Sequence, residues 1–129
     1  MVQQMRRKLR ITAVATAALL LALMATTALA GTSSATISKG QLDRYGSYQT
    51  LSARSVRCIG ESYTSSASGT KMSVNLLTKG AVFEVLKDDR YFYAGDYESW
   101  TYPNSETGQF RIWLNCGNKD HNGRGSASQ

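Results

Sequence analysis

Period-two alternation of apolar and polar residues constrains this chain most. A strand lays such a pattern on one face, whereas a helix would spread it around its circumference. Met72, Val74 and Leu76 alternate with Ser73 and Asn75. Ala81, Phe83 and Val85 form one face of the next run, with Val82 and Leu86 on the other. Phe110, Ile112 and Leu114 alternate with Arg111, Trp113 and Asn115, and Val56 and Cys58 flank Arg57. Turn formers separate these runs: Thr78-Lys79-Gly80, Asp88-Asp89 before Arg90-Tyr91-Phe92-Tyr93, and the PNSETG stretch with the only proline, Pro103. Short strands punctuated this way predict an all-β domain, a small antiparallel barrel or sandwich. Residues Gln41 to Leu51 read as a loop, with a short helix as the alternative.

The chain begins differently. Arg6, Arg7, Lys8 and Arg10 precede an uncharged run from Ile11 to Ala30, closing on Ala28-Leu29-Ala30. Basic, then apolar, then small is the order of a secretory signal peptide, here a helix of residues 1–30 cleaved before Gly31. The alternative is a retained anchor, since about 20 apolar residues span a bilayer. Cleavage makes the protein secreted, with membrane contact only through an uncleaved signal. It also changes the charge. The whole chain carries 15 basic and 9 acidic side chains, a net of +6. Without the leader, eleven basic residues face nine acidic ones, a net of +2, and they are scattered. Nucleic acid is therefore disfavoured as a partner.

Cys58 and Cys116 are the only cysteines. In an oxidising compartment they predict one disulfide, worth about 4 kcal/mol by loop-closure entropy. That bridge would hold the first and last strands together and close the barrel or sandwich. Residues 31–40 read as a flexible polar linker, 41–116 as the disulfide-bonded β domain and 117–129 as a disordered polar tail. The reading is of a monomer.

Within this domain SVRCIG (Ser55–Gly60), Leu77-Thr78-Lys79-Gly80, Phe83-Glu84-Val85-Leu86 and GQFRIWLN (Gly108–Asn115) resemble segments of bacterial SH3-like domains. The likeness covers about half of the exported chain. The usual Gly-Pro of the first loop is absent, and the stretch from Leu86 to Gly108 is long for that family. The resemblance implies a small barrel that recognises peptide or cell wall without chemistry of its own.

Catalytic residue types are sparse. His121 is the only histidine and falls in the polar tail, away from any nucleophile that it could activate. With one His and two Cys a zinc site lacks ligands, so no metal and no cofactor is expected. Asp88, Asp89, Asp96, Glu98 and Glu106 are candidates for a carboxylate pair or a calcium site, in no known spacing.

The most unusual segment is Arg90 to Tyr102, in which six of thirteen residues are aromatic. One reading is structural: a hairpin with Phe92 and Ala94 inward and Tyr91 and Tyr93 outward. The other makes Tyr91, Tyr93, Tyr97, Trp100 and Tyr102 a ligand-binding surface. Trp113, opposite Phe110, Ile112 and Leu114, shares both readings. The sequence thus points to a secreted, non-catalytic binding module for a cell-envelope component or a protein. The alternatives are a small secreted inhibitor or antagonist, and a minor hydrolase using the acidic residues.

Overall fold

The computed structural model describes residues 31–129, and the signal-peptide helix expected over residues 1–30 lies outside them. Nine strands form: β1 (Thr32–Ile37), β2 (Asp43–Tyr45), β3 (Gln49–Leu51), β4 (Val56–Ser62), β5 (Met72–Lys79), β6 (Glu84–Phe92), β7 (Tyr97–Tyr102), β8 (Gly108–Asn115) and β9 (Gly123–Ser128). Sheet A has the order β1-β9-β4-β7. Sheet B runs β2-β8-β5-β6, with β3 also paired to β8. Every pairing is antiparallel. Both sheets are open at their edges, so the two-sheet sandwich forms and the closed barrel does not. No helix occurs among the described residues.

The alternations that announced the strands put their apolar members in the core. Met72, Val74, Leu76, Phe110, Ile112, Leu114 and Phe92 cover the inner face of sheet B, each at most 1% exposed. The facing side of sheet A is built differently. Ser33 and Ala35 of β1, Cys58 and Gly60 of β4, and Gly123, Gly125 and Ala127 of β9 point inward. Most inward positions of sheet A are therefore small and pack against large side chains of sheet B, while Ile37, Val56 and Trp100 add bulk from sheet A itself. At Gly60 a Cβ would lie 2.4 Å from Cζ of Phe92, and at Gly125 one would lie 2.7 Å from Cδ2 of Leu114. Glycine is what permits this close approach of backbone to side chain. One link crosses the layers where β2 gives way to β3. There the Ile112 amide of β8 donates to the buried Ser33 hydroxyl of β1, at 3.0 Å.

Several expectations are corrected. The linker of residues 31–40 contains β1, and the tail of residues 117–129 contains β9, which sits between β1 and β4. β9 has no large apolar residue and β1 only one, Ile37 at its end, because inward positions such as Gly123 and Gly125 face the bulky Met72 and Leu114. The disulfide does not form: Cys58 and Cys116 are both buried and unbonded. Cys58 lies within β4 of sheet A, across from Trp100 and Ala127. Cys116 follows β8 of sheet B, its amide donating to the Leu42 carbonyl at 2.8 Å. The first and last strands are indeed neighbours, but they are β1 and β9 and carry no cysteine. Burial pushes the Cys58 thiol up to about 12, with the charge of Asp88 adding and that of Arg90 opposing. Residues 41–51 form β2 and β3 rather than a loop.

The β5–β6 hairpin also differs. Asp88-Asp89 does not break the chain, because β6 runs unbroken from Glu84 to Phe92. Asp88 is held in it by accepting from Trp100 Nε1 (2.9 Å) and from Arg90 (3.2 Å). The turn falls at Gly80–Phe83, closed by a 3.0 Å backbone bond, so Val82 and Phe83 stand at a tip, each 80% exposed. The register shifts after Leu76, where β6 carries one extra residue, Lys87; β5 stays in regular register with β8, and Leu77, opposite Arg111, is buried as well as Leu76.

Candidate functional site

The outward face of sheet B collects the polar and aromatic positions left over from the core alternation. Register lines up Asp43 (β2), Asn115 (β8), Ser73 (β5) and Tyr91 (β6) in one row across four strands. The next row holds Tyr45, Trp113, Asn75 and Asp89. Their side chains are tied to each other. Asp43 Oδ1 accepts from Trp113 Nε1 and from Asn115 Nδ2, both at 2.7 Å. Asn75 Nδ2 donates to Ser73 Oγ and to the Trp113 carbonyl, both at 3.0 Å. Tyr45 stacks on Trp113 with centroids 6.0 Å apart and planes 7° from parallel.

Arg111 extends this face. Its guanidinium lies 4.2 Å from the Tyr45 ring centroid and 4.6 Å from that of Tyr48 while pairing with Glu84. That hydrogen bond holds the Glu84 carboxyl below its ordinary range and raises Arg111 in turn. Tyr48 is raised, first by burial and then by its hydrogen bond with Glu84. Planar guanidinium between rings, with a fork onto a carboxylate, immobilises this end of the face.

The other end opens. A pocket of about 360 Å³ lies between Tyr91 and Tyr93 on one side and the Gly117-Asn118 turn on the other. Ser73 and Asn115 contribute its floor, and the 69–71 loop before β5 supplies Thr70 and Lys71. Tyr91 and Tyr93 are about half exposed, at 54% and 50%. Lys71 Nζ sits 4.4 Å from the Tyr91 ring centroid.

Beneath this loop lies the histidine. His121 is fully buried rather than in a mobile tail, because residues just before β9 dock against the end of β4. Ser62 Oγ is 2.6 Å from its Nδ1, and Thr70 Oγ1 is 2.8 Å from its Nε2. A neutral ring donates from one nitrogen and accepts at the other, and either hydroxyl can serve both roles. Ser62 also contacts Ser66 Oγ at 3.2 Å, and Ser66 exchanges bonds with the Asn122 backbone. Burial lowers the His121 pKa, while the Thr70 hydrogen bond and the charge of Asp120 oppose it. Ser62, at 1% exposure, is buried with its histidine, so in this conformation the pair joins loop to strand and offers no open nucleophile.

The five aromatic residues expected to form one surface separate into three places. Tyr91 and Tyr93 line the pocket. Tyr97 is exposed on β7, at the edge of the other sheet, opposite Glu61. Trp100 faces the core at 9% exposure, tilted against Phe92 at 6.2 Å, with its indole N–H on Asp88. Tyr102 is half-buried against the same core. The structural reading holds for Phe92, Trp100 and Tyr102, whereas Tyr91, Tyr93 and Tyr97 are exposed.

Of the acidic candidates, Asp88 and Glu98 share Arg90, at 3.2 and 3.5 Å. Asp96 Oδ2 accepts the Tyr93 amide at 2.8 Å in the β6–β7 turn, and Glu106 pairs with Lys87 at 3.4 Å. Among the described residues no three His, Cys, Asp or Glu side chains gather where they could hold a metal ion. The sequence reading passed over Asp43, Tyr45, Lys71, Ser73 and Asn115. The signal was present in the outward members of β8, where Trp113 and Asn115 alternate with the core. No protein-family model matches the chain, and no curated protein matches it.

Proposed function

We propose that this protein is a non-catalytic binding module acting outside the cell, with a cell-envelope glycan as its ligand and the outward face of sheet B as its binding face. The observation that carries the reading is the pocket beside Tyr91 and Tyr93. A sugar ring has apolar C–H faces and a hydroxyl rim. Half-exposed phenol rings accept the faces, and Ser73, Asn115 and Asn118 present hydroxyl and amide groups to the rim. The hydrogen bonds among Asp43, Asn115, Trp113 and Asn75 hold the floor in place before any ligand arrives, which limits the entropy lost on binding. The extracellular setting rests on the basic, apolar, small order of the first thirty residues.

The test is retention of the purified protein on insoluble cell-wall polysaccharide. Tyr91→Ala combined with Tyr93→Ala should reduce retention about tenfold or more, the loss of roughly 1.4 kcal/mol. Tyr97→Ala, on the other sheet, should leave it unchanged. Retention of the double variant at the unsubstituted level, with circular dichroism preserved, rules the reading out.

A second reading, an inhibitor or antagonist of another protein, is favoured by the β5–β6 tip. Val82, Phe83, Val85 and Leu86 are all exposed there, and contiguous apolar surface of this kind marks contact sites. Inhibition of a secreted protease or of bacterial growth that disappears on Phe83→Ser would support it. Absence of both effects would set it aside.

A further inference from the structure

We infer that the pocket selects glycans bearing a carboxylate, such as those built from uronic acids; this rests on the glycan reading above. Among the described residues, Lys71 is the only charged side chain that lines the pocket, and no carboxylate does. Two carboxylates are nearby without being part of the lining: Asp89 on β6, and Asp43 on β2, whose Oδ1 is occupied by the Trp113 and Asn115 side-chain N–H groups. Four other basic side chains of the domain, Lys87, Arg90, Arg111 and Arg124, pair with carboxylates. Lys71 has no such partner among the described residues. Its ammonium rests instead on the Tyr91 ring, 4.4 Å from the centroid.

A ring face attracts the cation without occupying its N–H donors. The ammonium is therefore placed at the pocket wall with donors to offer, next to the phenol against which a sugar would stack. A neutral sugar leaves that charge uncompensated. A carboxylate on the stacked sugar gains a charge-assisted hydrogen bond there. The surrounding donors and acceptors are neutral, so they favour neither form.

The experiment compares polygalacturonate, alginate and hyaluronate with their methyl-esterified forms, by calorimetry at low salt. The unmodified protein should bind at least one acidic polymer about tenfold more tightly than its ester, and the preference should shrink as salt rises. Lys71→Gln should weaken binding of the acidic polymer about tenfold more than binding of its ester, and so lose the preference. Equal affinity of the unmodified protein for acid and ester overturns the carboxylate inference and leaves the glycan module standing. A preference that survives Lys71→Gln overturns the role of Lys71. Failure to bind any of the six polymers overturns the carboxylate inference. If cell-wall polysaccharide is then retained equally by the Tyr91/Tyr93 double variant, the module reading falls with it.

Discussion

Gly60→Ala tests the packing on which this sandwich depends. The added Cβ would lie 2.4 Å from Cζ and 2.6 Å from Cε2 of Phe92, and 3.0 Å from Cγ2 of Val74. Phe92 is a rigid ring at 1% exposure, backed by Trp100, and Val74 has little χ1 freedom. The ring cannot swing away, so the sheets must part or Phe92 must leave its rotamer. Overpacking of this kind costs about 1–3 kcal/mol. The lost backbone freedom of the unfolded chain offsets about 0.4–1 kcal/mol of it. A net loss of about 1–2 kcal/mol lowers Tm by roughly 4–16 °C in a domain of this size. Scanning calorimetry of Gly60→Ala measures it. Gly117→Ala is the control: nothing lies within 4 Å of its Cβ, so it should be neutral or slightly stabilising. Phe92→Leu should rescue Gly60→Ala, because it removes the far end of the ring. The double variant should then be at least 1 kcal/mol more stable than the sum of the two single losses implies, a coupling expected only between residues in contact. Strict additivity, or an unchanged Tm for Gly60→Ala, would refute the small-against-large account.

Two further outcomes follow from the same structure. Deleting residues 123–129 should abolish cooperative unfolding by calorimetry, because it removes β9 from between β1 and β4, with which it makes six register pairs on each side; an intact transition in the truncated protein would show those residues to be dispensable. Acid should destabilise the fold through His121: its folded pKa is lowered, so between the ordinary value of about 6.5 and that lower value the unfolded chain holds more protons, and stability present above about 6.5 is lost as pH falls through the folded pKa. Urea midpoints measured from pH 7.5 downward should show this loss and should show less of it in His121→Gln, whereas Glu84, whose pKa is also lowered, acts only in the window below about 4.5.

Legibility in the sequence followed residue size. Strands β5 and β8 announced themselves because sheet B supplies the bulk of the core, and Met72-Val74-Leu76 and Phe110-Ile112-Leu114 alternate visibly. Strands β1 and β9 did not, because TSSATI and GRGSAS put serine, alanine and glycine into that core. Small polar composition then looked like disorder. His121 was misplaced for the same reason: a residue before an unrecognised strand looked like part of a loose end. The disulfide failed on topology. Cys58 and Cys116 were assigned to the outermost strands of a unit that actually extends further in both directions. Part of the proposed face was readable, since alternation put Tyr91 and Tyr93 outward. Lys71 and Thr70 were not, because they enter the pocket from a loop whose path depends on the buried His121.

The position of β9 bears on when the protein can fold. A chain delivered amino end first, from a ribosome or through a translocation pore, presents β1, β4 and β7 long before Gly123–Ser128 emerges. Until then β1 has no partner in sheet A and β4 is paired on one side only, with β7. Sheet A is completed by Gly123–Ser128, which insert between β1 and β4 as the middle rung of a ladder. Until that insertion β1 and the β4–β7 pair remain separate pieces, so the sandwich closes only once both flanks of β9 are in place.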